Sequence, residues 1–196
     1  MAISITDNKA SGKGRWILLS LLALNCIIFL SGLIRPALRE VMMLHSPAIP
    51  TPPLATAALN WRALASYTFV HSGPSHLFFN MLFLWILGKF LIDRYGIRRM
   101  IALYLAGAVA GAIGFLTVGA FIPAGHETAL CGASAAVLAL SGGVMASSPG
   151  RNIRILAWTA VGVCLLSSPT LPALATHVLG FLAGFLPSAR KKLIIS

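Results

Sequence analysis

"THVLGFLAGF", residues 176–185, sets an ionisable side chain, His177, in an otherwise apolar helical stretch, with Gly180 and Gly184 three and seven residues further on. The spacing i, i+3, i+7 puts all three on one helical face. Glycine weakens a helix, so two of them on one face need a reason. Small residues on a membrane helix let a neighbouring backbone approach closely. An imidazole in hydrocarbon is expensive unless it is paired or wet. The stretch therefore predicts a helix packed tightly on a partner that carries a polar group for His177.

Working outward, the rest of the chain has the composition of an integral membrane protein. Of 196 residues, 58% are hydrophobic and only 10% charged, with a mean hydropathy of +0.88; soluble domains run near a quarter charged. The net charge of +11 does not indicate a nucleic-acid partner. The basic residues stand in short clusters between apolar runs, the pattern of membrane-flanking charge. The partner implied by composition is the lipid bilayer.

Apolar runs at roughly 16–35, 76–93, 99–122, 132–148, 153–168 and 171–187 predict an all-α bundle of six transmembrane helices. The first, Trp16 to Ile34, is too long for a signal-peptide core and is expected to be a retained span. With a cytoplasmic N-terminus, Lys9, Lys13, Arg15, Lys89, Arg94, Arg98, Arg99, Arg151, Arg154, Arg190, Lys191 and Lys192 all fall at cytoplasmic ends. Only Arg35, Arg39 and Arg62 fall outside. The positive-inside rule thus favours both termini in the cytoplasm. The expected organisation is a cytoplasmic segment 1–15, a six-helix domain 16–187 with a first outer loop at about 36–75, and a basic tail 188–196. No internal repeat is visible, which disfavours a repeat-built transporter. The long loop carries "NWRALASYTF", suited to lying in the interface, and a stiff turn region at Pro50, Pro52 and Pro53.

In this orientation the second, fourth and sixth spans all begin on the outer side, which brings their polar residues to one depth. Span two opens "HSGPSHLFFN" with His71, His76 and Asn80; span four opens with Ser134 after Cys131; span six opens at His177. Gly132, Ala135, Ala139, Gly142 and Gly143 offer span four as the close neighbour of Gly180 and Gly184. Ser134 would then lie within hydrogen-bond reach of His177, which could remove its proton during nucleophilic attack. His76 and Asn80, one turn apart, would donate to a developing oxyanion beside the Ser134 N–H. The four acids, Asp7, Glu40, Asp93 and Glu127, leave none to complete a triad, so the chemistry predicted is that of a Ser–His dyad. No cofactor and no metal are expected. His71 and His76 are five apart, HExxH is absent, and Cys26, Cys131 and Cys164 show no ligand spacing. His45 and His126 read as exposed loop residues. Thr68, Ser72 and Ser75 read as satisfying local backbone groups.

These motifs resemble the rhomboid family of intramembrane serine proteases. "WR" at Trp61–Arg62 is similar to the family's first-loop signature and "HSGPSHLFFN" to its histidine–asparagine motif. "GASA" at 132–135 resembles the nucleophile motif, and "HVLGFLAG" at 177–184 the catalytic histidine motif. The resemblance implies a compact six-helix bundle that hydrolyses peptide bonds in or near transmembrane substrates in a bacterial plasma membrane. Its site would open to the outer side, with Ser134 as nucleophile, His177 as base, and His76 with Asn80 as oxyanion stabilisers. By the same analogy substrate would pass between spans two and five, with Phe79 and Trp158 as gate residues. Two positions depart from the family pattern. Ala135 replaces a common glycine, and Leu138 stands where many members place an aromatic ring against the histidine. Leucine offers no ring face, so His177 is expected to sample more orientations. The alternatives are a catalytically silent rhomboid-like protein that binds membrane clients and a small proton-linked transporter using His177 as relay.

Overall fold

A computed structural model of the chain describes residues 5–45, 61–121, 129–147 and 150–195. Helix α1 (Ile5–Ile34) starts well before the apolar run and ends where Arg35 leaves helical geometry, at φ −130° and ψ 85°. Pro36 explains the break, because its ring disfavours a helical residue before it while suiting a first helical position itself. Pro36 opens α2 (Pro36–Met42), followed by a two-residue strand β1 (Leu44–His45). Pro50, Pro52 and Pro53 lie outside the described residues.

Helix α3 (Trp61–Ser66) tightens into a 3-10 turn, Tyr67–Phe69. Helix α4 (Pro74–Tyr95) again opens on a proline and stops at Gly96, whose φ of +81° ends the helix without Cβ strain. Then come α5 (Ile97–Gly119), strand β2 (Ala129–Leu130), α6 (Ser134–Ala146), α7 (Arg151–Leu166) and α8 (Leu171–Ile195). Among the described residues four segments are long and apolar enough to cross a membrane: Gly12–Ile34, Pro74–Tyr95, Ile97–Gly119 and Leu171–Ser188. The 13 residues of α6 reach only ~20 Å at 1.5 Å per residue, short of a ~30 Å hydrocarbon core. Every residue of α6 except Met145 is buried, so it is the axis around which the other helices pack. The periphery carries exposed apolar side chains such as Ile27, Leu33, Leu105, Val109 and Ile113, as a lipid-facing surface requires.

Helix α6 packs chiefly against α8 and α5. A Cβ built at Gly180 would lie 2.6 Å from the Ala135 carbonyl oxygen, and one at Gly107 on α5 would lie 2.7 Å from the same atom. Only glycine permits these approaches. On the other side of α6, Val137, Leu140 and Val144 join Leu18, Leu84, Leu87, Leu91 and Met100 in the main apolar core.

Polar contacts show which helix ends lie together. At one end Asp93 accepts from Arg15 at 3.0 Å and from Lys89 at 2.9 Å, and Arg99 donates to Ser188 at 2.6 Å. At the opposite end β1 pairs antiparallel with β2, Leu44 opposite Leu130 and His45 opposite Ala129. His45 is therefore a half-buried ladder residue, within 3.4 Å of Glu40, and not the exposed loop residue its surroundings in sequence suggest; His126 lies outside the described residues. The 3-10 turn is tied into the same end. The Tyr67 hydroxyl donates to the Ala108 carbonyl at 2.6 Å, and the Gly132 N–H donates to the Tyr67 carbonyl at 2.9 Å. Burial pushes the Tyr67 phenol above its ordinary pKa, so it stays a donor. Within the described part of the "NWRALASYTF" segment, Tyr67 thus clamps the turn leading into α6.

Candidate active site

Ser134 is the first residue of α6 and His177 lies in the second turn of α8. Their side chains meet: Ser134 Oγ and His177 Nε2 are 2.8 Å apart. The close approach that makes this possible is the one between Gly180, one turn from His177, and Ala135, next to Ser134. Both polar residues are nearly buried, at 6% and 7% exposure. They line a cavity of about 500 Å³ together with Ser72, His76, Phe79, Asn80, Cys131 and Thr170, among others.

The turn before Ser134 is built for access to its backbone. Gly132 has φ +109°, and a Cβ there would fall 2.5 Å from His76 Nε2. The His76 ring therefore rests directly on the Gly132 backbone. Ala133 at the N-cap has no side chain that caps α6. The first N–H groups of a helix have no intrahelical partner, and an uncapped start leaves them and the positive end of the helix for an incoming anion.

His76 is oriented from behind. Its Nδ1 is 2.9 Å from the Ser72 hydroxyl and accepts from the Ser72 N–H at 3.4 Å. A nitrogen that accepts a backbone N–H carries no proton of its own, so the neutral ring holds its proton on Nε2, the atom facing Gly132. The Ser72 hydroxyl thus meets a histidine nitrogen, where its sequence context suggested local backbone. Asn80 Nδ2 donates to the His76 carbonyl at 2.8 Å, with a second N–H left to give. Its Oδ1 is buried without a hydrogen-bond partner.

His71 stands edge-on to His76, ring centroids 5.1 Å apart, and donates from Nδ1 to the Phe69 carbonyl at 3.3 Å. Burial first, and the neighbouring His76 second, hold its pKa down at about 3. It stays neutral behind His76 and is not among the residues that line the cavity.

The two gate candidates part company. Phe79 is exposed, lines the cavity and stacks on Phe83 at 6.4 Å. Trp158 is exposed on α7 and stacks on Phe181 of α8 at 6.1 Å, but it is not among the cavity residues. Leu138, one turn below Ser134, is fully buried and offers the imidazole no ring. What does hold His177 was not anticipated: Ser168, in the short link between α7 and α8, places its Oγ 2.6 Å from Nδ1. The only advance signal was the pair Ser167–Ser168 at the predicted end of a helix, where hydroxyls usually serve carbonyls.

Comparison with known proteins bears directly on this arrangement. Residues 58–190 match the family model of the rhomboid domain. The chain belongs to the rhomboid family. The match runs from α3 to α8 and contains Ser72, His76, Asn80, Ser134, Ser168 and His177, while α1 precedes it. Rhomboid protease GluP of Bacillus subtilis is 30% identical over 132 residues, 66% of this chain. The chain spans 26% of that rhomboid protease's length. Rhomboid membership and the long apolar helices together make this a mostly helical integral membrane protein.

Proposed function

We propose that this rhomboid is an intramembrane serine endopeptidase that hydrolyses peptide bonds in or near the transmembrane segments of membrane-protein substrates. The observation that carries the reading is the 2.8 Å contact between Ser134 Oγ and His177 Nε2 at the wall of a largely apolar cavity that Ser72, His76 and Asn80 also line. Ser134 attacks the scissile carbonyl while His177 Nε2 takes its proton. The oxyanion draws on His76 Nε2–H, Asn80 and the N–H groups at the start of α6. The imidazolium returns its proton to the leaving amine, and water then hydrolyses the acyl-enzyme by the same route. No cofactor enters the scheme.

The proposal extends to topology. Six spans with both termini in the cytoplasm would comprise 16–187, flanked by 1–15 and 188–196, with the loop at about 36–75 and the cavity on the outer side of a bacterial plasma membrane. Support comes from the ion pairs that gather basic ends at one pole and from the site residues at the other. Substrate access between α4 and α7 is supported by Phe79 and Val163, which line the cavity from those two helices; Trp158 would act from the lipid side.

The test is labelling of the full chain in bilayers with a serine-directed fluorophosphonate, beside cleavage of a model transmembrane substrate. Labelling and cleavage that both vanish in Ser134→Ala are expected. A parent chain that neither labels nor cleaves would favour the catalytically silent, client-binding reading.

A further inference from the structure

We infer that Ser168 is a positioning residue for the proposed base, fixing the tautomer and orientation of His177 in place of the acid of a triad. The inference rests on the protease reading above and concerns the same site. Three hydrogen bonds form a chain. Ser134 Oγ lies 2.8 Å from His177 Nε2, His177 Nδ1 lies 2.6 Å from Ser168 Oγ, and Ser168 Oγ donates to the Cys164 carbonyl at 2.8 Å.

The proton of the Ser168 hydroxyl sets the direction of this chain. Ser168 donating to Nδ1 would put the ring proton on Nε2, the wrong atom for a base. A carbonyl can only accept, and with the one proton of the Ser168 hydroxyl on Cys164 the outcome is the reverse. Ser168 Oγ is then left as an acceptor, and Nδ1 must carry the proton of the neutral ring. Nε2 is thereby bare and faces the Ser134 hydroxyl, the tautomer a general base needs. When Nε2 takes the Ser134 proton, the imidazolium keeps donating from Nδ1 and no proton passes to Ser168.

The backbone behind Ser168 is itself fixed. Cys164 is in the last turn of α7, Ser167 Oγ donates to the same carbonyl at 3.0 Å, and the Ser168 N–H donates to Leu165 at 3.2 Å. Carbonyls at a helix C-terminus form its negative end. The relay therefore points the imidazolium of the transition state at a partial negative charge. Ser168 does not line the cavity, although Ser167, Pro169 and Thr170 do. It stands behind the ring and does not meet substrate, so its loss should act on turnover rather than on binding.

The experiment uses the full chain in lipid nanodiscs with nitrogen-15 histidine, the His177 signals assigned by their loss in His177→Gln, and cleavage kinetics on the same samples. The parent should show protonated Nδ1 and bare Nε2. Ser168→Ala should mix the tautomers and lower kcat by about tenfold to a hundredfold at unchanged KM, the scale of a misplaced catalytic group. Ser168→Thr, which keeps the hydroxyl, should restore both. Ser167→Ala removes the sister hydroxyl from the Cys164 carbonyl and should leave the His177 tautomer as in the parent, which separates orientation of the ring from capping of α7. A parent that cleaves, with kcat and tautomer both unmoved by Ser168→Ala, overturns the role of Ser168 alone. A parent that neither cleaves nor labels overturns the protease reading and this role with it.

Discussion

Gly180→Ala tests whether the dyad depends on helix contact. The added Cβ would stand 2.6 Å from the Ala135 carbonyl oxygen, 2.9 Å from its Cα and 3.1 Å from its carbonyl carbon, where ordinary contact begins at 3.4 Å. All three are backbone atoms, so no flexible side chain can give way and the helices must part by about 0.8 Å. Gly180 is one turn from His177, and Ala135 is next to Ser134. Added along their line, that displacement turns a 2.8 Å contact into one of about 3.6 Å, which is no longer a hydrogen bond. A misplacement near 1 Å costs on the order of a hundredfold in rate. Overpacking costs about 1–3 kcal/mol in stability, partly offset by the roughly 1 kcal/mol that alanine gains over glycine in a helix. Initial rates on a transmembrane substrate in proteoliposomes, beside thermal unfolding of the same sample, should show kcat falling about a hundredfold with KM little changed. Gly162→Ala on α7 is the control, because nothing lies within 4 Å of its Cβ, and it should keep parental activity. A Gly180→Ala protein with parental kcat and parental melting temperature would refute the close contact and the reasoning built on it.

Four further outcomes are expected. Ser134→Ala and His177→Ala should each abolish cleavage, and the double variant should be no worse, since residues that act as one unit are non-additive. His76→Ala or Asn80→Ala should leave residual activity, lower in kcat by about 2.7–4 kcal/mol of barrier if each supplies one oxyanion donor; undiminished kcat would remove that residue from the oxyanion site. Leu138→Phe should lower the melting temperature without raising kcat, because the position is fully buried and Ser168 already holds the ring; a faster enzyme of equal stability would show that a ring face was the missing constraint. Melting temperature should fall as pH drops from 6.5 towards 3. His71 protonates only near 3 in the folded protein and near 6.5 when unfolded, so the unfolded state gains protons across that window and stability present above it is lost. His71→Asn should flatten the slope.

How much of this was legible in sequence depended on whether the signal was periodic or local. Gly180 and Gly184 on the face of His177 announced a close helix contact, and the small residues of α6 identified its partner. The shared depth of His76, Asn80, Ser134 and His177 followed from charge at the helix ends. The third packing partner escaped notice. Gly107, Gly111 and Gly114 on α5 carry the same kind of spacing, and a Cβ at Gly111 would come within 3.1 Å of Thr176. They sit in a run so uniformly apolar that nothing polar drew attention to that face. The pairing of Leu44 with Leu130 was illegible because two-residue strands leave no periodicity. Ser72 was misread and Ser168 passed over for a related reason: a serine near a helix end satisfies backbone in most contexts, and only the folded structure shows a histidine nitrogen in reach.

Among the described residues no acid lines the cavity of the proposed dyad, and that absence has a physical logic. A carboxylate at the depth of His177 would have to be desolvated whether or not the enzyme was turning over, at a penalty of several kcal/mol unless fully paired. Its benefit, a partner for the imidazolium, is needed only during attack. A neutral serine linked to the end of a helix reverses that balance. The Ser168 hydroxyl and the Cys164 carbonyl carry no net charge, so this partner of His177 adds no buried ion to the resting site. The partial charge at the end of α7 still favours a cation by about 0.3–1 kcal/mol, rising towards 2 in a partly buried setting. That is weaker than a carboxylate would provide. The same neutrality applies to the nucleophile side, where the Tyr67 carbonyl holds the Gly132 N–H and the His76 ring rests on Gly132. Among the described residues the ions stay away from the dyad: Asp93 with Arg15 and Lys89 at the far pole, and Glu40 beside His45. A proposed centre whose described groups are hydroxyls, imidazoles, amides and helix ends fits a chain in which 10% of residues are charged and whose site lies within a bundle of apolar helices.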